Sequence, residues 1–154
     1  MKTAIEKNLG YSFNNKDLLN RALTRKAYAL EQKQRNQACE DQEVYRVLGD
    51  AVLKAILVDL LIKLGCKTRN EITNRKKNLE REEALAKIGQ RLSIGPHIKL
   101  GIGEKKQQAD KEPKVLAETL EALIGAIYLD AGYDRARDVI GRWFADLLKT
   151  SEIV

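Results

Sequence analysis

The chain has 154 residues, 44% hydrophobic but only 5% aromatic, which describes one ordinary domain with an aliphatic core. Its 28 Lys and Arg outnumber its 22 Asp and Glu, and the formal charge of +6 suits an anionic partner such as nucleic acid. Two cysteines and the single His97 exclude a disulfide framework and a zinc finger, and the longest apolar stretch, Ala51 to Leu64, is broken by Lys54, Asp59 and Lys63 and spans no membrane.

Apolar spacing is helical along nearly the whole chain. One pattern covers about residues 2–9 and ends at Gly10, and the next covers 15–23 behind a cap at Asn14 or Asn15. Val44 to Leu64 reads as one long helix stopping at Gly65, with a second half apolar on most sides, the mark of a central element. Shorter patterns follow over 71–79 and 82–92. After Pro113 a stripe runs through Leu116, Leu120, Leu123, Ile124 and Ile127. The last stripe joins Ala136, Val139, Ile140, Trp143, Phe144, Leu147 and Leu148 behind a cap at Asp134. No segment alternates with period two, so the expected fold class is all-α. Glu31–Gln42 and Glu104–Lys114 are polar and read as exposed connections. Gly101 and Gly103 read as turn residues, because no strand precedes them to make a phosphate cradle.

Glu43, Arg46 and Asp50 stand at steps of three and four on one face of the long helix, and Glu118 and Glu121 are three apart on another. Small residues surround them: Gly49, Ala51, Ala117, Ala122, Gly125 and Ala126. Small side chains let two backbones approach, which brings the acidic faces together. Carboxylates converging from two helices suit Mg²⁺, a hard cation that takes oxygen ligands and keeps water and phosphate. Acidic pairs at helical spacing are also common as solvated faces.

The segment Glu43-Val-Tyr-Arg-Val-Leu-Gly-Asp-Ala-Val-Leu53 resembles the ribonuclease III signature E-R-L-E-F-L-G-D-[AS]-V-L. Leu116-Ala-Glu-Thr-Leu-Glu-Ala-Leu-Ile-Gly-Ala-Ile-Tyr-Leu-Asp130 resembles that family's second motif, L-A-D-x-x-E-A-L-I-G-A-I-Y-L-D. Leu9–Phe13, Leu18–Thr24 and Leu100–Glu104 are similar to further family segments, so the resemblance covers about residues 5–148. It implies the all-helical ribonuclease III endonuclease domain fold, one domain over 1–154, and a homodimer with two acidic sites along one RNA valley. It also implies Mg²⁺-dependent hydrolysis of double-stranded RNA, with Mn²⁺ as a substitute, leaving 5′-phosphate and 3′-hydroxyl ends. The chain is expected to carry the catalytic domain without the C-terminal double-stranded-RNA-binding domain, and to be cytoplasmic, with no small-molecule cofactor and no membrane partner.

By the same resemblance Asp50, Glu118 and Glu121 are the metal ligands, and with Glu43 the catalytic set. Glu118 replaces the usual Asp. Glu43 opens the signature, and is equally well read as a helix N-terminal acid favoured by the macrodipole. Arg46 is the departure, standing where the family has a metal-binding Glu. Arg has no lone pair for a metal, and two positive centres about 4 Å apart repel by about 4 kcal/mol at an effective dielectric near 20. Arg46 is placed either to bridge Glu43 and Asp50 or to turn outward to a phosphate. The family's T-H-K-S reads Thr24-Arg-Lys-Ala27, a second departure. Two functions follow: an endoribonuclease that tolerates Arg46, or a ribonuclease III fold kept for RNA binding or as an assembly scaffold.

Basic residues cluster at Lys67–Lys77, which includes Arg75, Lys76 and Lys77, at Lys105 and Lys106, and at Arg25 and Lys26. A dispersed basic surface without stacking aromatics suits the phosphates and 2′-hydroxyls of a duplex rather than a single strand.

Overall fold

Side-chain caps set where several helices begin. Thr3 and Glu6 form a capping box that starts α1 (Ala4–Leu9), and Gly10 ends it at φ +73°. The Asn15 side chain accepts the Asp17 N–H at 3.0 Å and opens α2 (Lys16–Ala22). Then come α3 (Lys26–Gln34) and the long α4 (Glu43–Lys63). Thr68 caps α5 (Arg69–Leu79), followed by α6 (Glu82–Arg91) and the short α7 (Ile102–Lys106). The chain closes with α8 (Pro113–Ala131), entered through its proline, and α9 (Tyr133–Thr150). The computed structural model describes residues 2–150; Met1 and 151–154 of the expected domain lie outside the described residues. Among the described residues there is no strand, and one isolated parallel bridge joins Thr24 to Lys99.

The all-helical expectation is met, with three local differences. Residues 31–34, expected in a loop, are the second half of α3. That helix has a weak apolar stripe, Ala29 being buried and Leu30 exposed, so period reading passes over it. It is held instead by the Glu31 carboxylate, which accepts the Ile102 N–H at 2.9 Å. The Glu104–Lys114 segment likewise contains the end of α7 and a 3₁₀ turn at Ala109–Lys111. Asp134 falls within the first turn of α9, one residue after its start.

Helix α8 is the axis of the core. Its Leu120, Leu123, Ile124 and Ile127 are fully buried, enclosed by α2, α4, α6 and α9. Each such side chain contributes about 1.5–3 kcal/mol by leaving water. The α9 stripe packs inward as its spacing foretells, and Trp143 Nε1–H donates to the Leu9 carbonyl at 2.8 Å, tying the last helix to the first. Asp130, at the end of α8, accepts the Asn14 and Asn15 N–H groups at 2.8 and 3.0 Å and the Tyr11 hydroxyl. No helix among the described residues is long and apolar enough to cross a membrane.

One contact positions everything below. At Gly49 of α4, a Cβ would lie 1.7 Å from the Glu121 carbonyl oxygen, and at Gly125 of α8 it would lie 2.4 Å from the Tyr45 carbonyl oxygen. The two backbones meet through paired glycines, a spacing open to no other residue. Asp50 follows Gly49 directly, and Glu121 is one turn before Gly125, so the helix contact sets the two carboxyls opposite each other.

Candidate active site

A cleft of about 430 Å³ opens beside this crossing, lined by Glu43, Arg46, Val47, Asp50 and Glu121. The face read from sequence spacing on α4 is therefore one wall, and α8 supplies the other. The Asp50 and Glu121 carboxyl groups are close enough to perturb each other's ionisation. Burial and the neighbouring Asp50 carboxyl push the Glu121 pKa up to about 7, against the pull of Arg46 and Lys54. Asp50 moves the other way: burial opposes the shift, but the Lys54 ammonium at 3.0 Å and the Glu121 carboxyl keep it below the usual carboxylate range. The pair thus shares a proton near neutrality.

Glu118 is held differently. Its Oε2 lies 2.6 Å from Arg46 Nη2 and its Oε1 lies 2.9 Å from Arg25 Nη1, so both oxygens are occupied by guanidinium groups. Its side chain is 14% exposed, which strengthens both pairs relative to a solvated surface. Arg25 is itself fixed, with Nε at 3.1 Å from Glu104 and Nη1 at 3.1 Å from the Gln42 amide oxygen. Burial opposes the charge on Arg25, and Glu118 and Glu104 more than compensate, raising its pKa.

Arg46 therefore does not bridge Glu43 and Asp50. Its nearest approach to Glu43 is 4.0 Å, while Asp50 is taken by Lys54 and Glu43 is paired with Lys26 at 3.4 Å. The bridge runs between helices, from α4 to Glu118 on α8. In consequence Asp50, Glu118 and Glu121 do not gather as one ligand set: no group of three or more His, Cys, Asp or Glu among the described residues is arranged to hold a metal ion. The physical reason is that the Arg25 and Arg46 guanidinium groups occupy both Glu118 oxygens, the atoms a metal ion would need. Asp50 and Glu121 line the cleft and carry the oxygen donors that a hard cation takes, whereas Glu118, with both oxygens on guanidinium groups, is not free to join them in this conformation.

The other basic positions divide. Lys77, Lys105 and Lys106 are exposed, and so is Lys26 despite its ion pair with Glu43. Lys76 bonds Glu80 at 3.3 Å. Arg75 is engaged in the fold, donating to Cys66 Sγ at 3.1 Å and to the Leu148 carbonyl at 3.0 Å. Arg25, read from sequence as part of a surface cluster, is a wall of the acidic site. Sequence reasoning missed Lys54, although its place four residues after Asp50 is a readable signal for an ion pair. It also missed Gln42, whose buried amide donates to the Ala22 carbonyl at 2.8 Å and steadies Arg25.

Comparison with known proteins bears on the same surfaces. The profile of a family described as Ribonuclease-III-like matches residues 15–148. Ribonuclease 3 of Cupriavidus taiwanensis is 33% identical over 147 residues, covering 95% of this chain and 54% of that protein. Ribonuclease 3 of Pseudomonas putida strain KT2440 is 36% identical over 143 residues, 92% of this chain and 58% of that protein. The chain thus spans little more than half the length of these curated relatives. Two solved structures of the ribonuclease III nuclease domain of Campylobacter jejuni are similar throughout. One, described for structural flexibility in a region involved in dimer formation, gives a TM-score of 0.82 at 30% identity, covering 93% of this chain and 95% of that one. The other gives 0.81 at 30% identity, covering 95% and 96%.

Proposed function

The chain belongs to the ribonuclease-III-like family, and we propose that it is an endoribonuclease for double-stranded RNA whose reacting groups stand on Asp50 and Glu121. The observation that carries this reading is the carboxyl pair brought together beside the Gly49–Gly125 contact, in the lining of one cleft. The reaction is hydrolysis of a backbone phosphodiester, in which water adds to phosphorus and the 3′ oxygen leaves, giving 5′-phosphate and 3′-hydroxyl ends. Asp50 and Glu121 would hold one Mg²⁺ or Mn²⁺, which when bound supplies Lewis-acid polarisation of the phosphate.

The chain's own groups do the rest. The proton shared by Asp50 and Glu121 leaves the pair when a cation is taken up, so ion affinity rises with pH through about 7. Glu118 holds the Arg46 guanidinium at the mouth of the cleft, and Arg25 holds Glu118. Lys26, Lys77, Lys105 and Lys106 are exposed and available to backbone phosphates. Val44 and Val47, 62% and 75% exposed on α4 beside the cleft, support a homodimer in which a second copy covers them.

A second reading rests on a specific observation. Arg46 at 2.6 Å from Glu118 removes one acid from the ligand set and adds a fixed positive charge, which favours a domain that binds duplex RNA without cutting it. Cleavage of a long RNA duplex at low salt with Mg²⁺ or Mn²⁺ separates the two. On the first reading the parent cuts and Glu121→Gln does not. On the second the parent binds without cutting, and Arg46→Glu gains activity.

A further inference from the structure

One ammonium stands between the acidic pair and a neighbouring helix. Lys54, one turn after Asp50 on α4, lies 3.0 Å from Asp50 Oδ1 and 3.5 Å from Glu80 Oε2. Glu80 is the C-cap of α5, which packs against α4. Its carboxylate is 21% exposed and is held by Lys76, whose Nζ is 3.3 Å from one oxygen and 3.4 Å from the other. Charges therefore alternate from the cleft to α5 in the order Asp50, Lys54, Glu80, Lys76.

The two acceptors of Lys54 are unlike. Asp50 lines the cleft and offers oxygen to a divalent ion, so that ion would meet the ammonium at the same carboxylate. Like charges within a few ångströms repel, and the ammonium must withdraw or the ion is held weakly. Glu80 stands outside the cleft lining and is fixed in place by Lys76. The Lys54 side chain is 44% exposed on a flexible stem, so its head group passes from one carboxylate to the other without repacking the core. Farther along α4, Lys63 and Asp59 make the same i,i+4 pair at 3.4 Å, but there no second carboxylate among the described residues receives the ammonium.

We propose that Lys54 is a positioning residue that competes with a divalent cation for Asp50 and yields by transfer to Glu80, so that Glu80, outside the cleft, sets part of the ion affinity of the Asp50–Glu121 pair. Without the ion, the ammonium neutralises Asp50 and ties its carboxylate to α5 through Glu80. With the ion, Glu80 receives the ammonium and the positive charge moves away from the cleft. The inference rests on the reading of Asp50 and Glu121 as ion ligands, and adds to it the displacement of a resident cation.

A double-mutant cycle read by Mn²⁺ titration tests it, with electron paramagnetic resonance counting free ion at pH 8 without RNA and thermal unfolding confirming that each variant is folded. Lys54→Gln binds Mn²⁺ about tenfold more tightly than the parent, because the competitor is gone. Glu80→Gln binds about fivefold more weakly, because the displaced ammonium has no receiver. On the Lys54→Gln background the same Glu80 change alters affinity by less than about twofold, whereas a carboxylate acting only through its own charge would weaken binding equally in both backgrounds. Lys63→Gln stays within about twofold of the parent. If Lys54→Gln binds as the parent does or more weakly, or if the Glu80 effect is the same with and without Lys54, the transfer is refuted while the ion reading stands. If neither the parent nor Lys54→Gln takes up Mn²⁺, the ion reading itself fails and the transfer falls with it.

Discussion

Replacing Gly49 with alanine tests the contact on which the site is built. The new Cβ would stand 1.7 Å from the Glu121 carbonyl oxygen and 3.0 Å from the Gly125 nitrogen, both backbone atoms inside a helix. Relief requires α4 and α8 to part by roughly 1.5 Å, and a gap of even 0.5–1 Å forfeits about a quarter to a half of each dispersion contact along the seam. Overpacked cores lose about 1–3 kcal/mol when flexible side chains can yield. Here nothing flexible is in the way, so the loss should reach about 3 kcal/mol or more, net of about 1 kcal/mol gained from the helix propensity of alanine. For a chain of this size that is a fall of about 6–12 °C in Tm. Thermal unfolding followed by circular dichroism reads it, with Gly103→Ala as the control, since a Cβ there meets nothing within 4 Å. A Gly49→Ala protein melting within about 2 °C of the parent would show that the helices do not touch at this point, and the facing of Asp50 and Glu121 would lose its cause.

The Glu121 carboxyl, raised to about 7, stabilises the fold while protonated and costs stability as it ionises, so without divalent ions the protein should weaken as pH rises from about 5 to 8. Allowing for solvent screening, the change is about 1–2 kcal/mol; Glu121→Gln should lack it, and equal slopes in urea unfolding of the two proteins would contradict the assignment. Asp130→Asn keeps the shape but loses the charge that accepts two N–H groups and the Tyr11 hydroxyl, and should cost about 1–3 kcal/mol in the same assay. An unchanged midpoint would mean that α1 and α2 are anchored by other contacts.

The helices were legible wherever an apolar stripe made them so. Residues such as Leu120, Leu123 and Ile124 on α8, and Val139, Ile140 and Phe144 on α9, sit at helical steps and are buried as that spacing requires. Gly49 and Gly125 were legible as small residues allowing close approach, though not as a pair in register. Helix α3 was hidden because Glu31 and the backbone of Ile102, seventy-one residues apart in sequence, hold it in place of a stripe. The same limit governs the site. Spacing placed Arg46, Asp50 and Glu121 on the proper faces, but the orientation of Glu118 depends on Arg25, which arrives from the start of α3 and belongs to no local pattern with it. A side chain's partner across the fold is decided by competition among charges, and the sequence of one helix does not contain the competitors.

The most direct test of the account counts ions. Titration with Mn²⁺ at pH 8 without RNA, followed by electron paramagnetic resonance, should find one ion per chain in the parent, none in Asp50→Asn, and tighter or additional binding in Arg46→Glu. A parent that binds no ion at millimolar Mn²⁺, or an Asp50→Asn protein that binds as the parent does, would contradict the claim that Asp50 and Glu121 are poised to share a divalent cation.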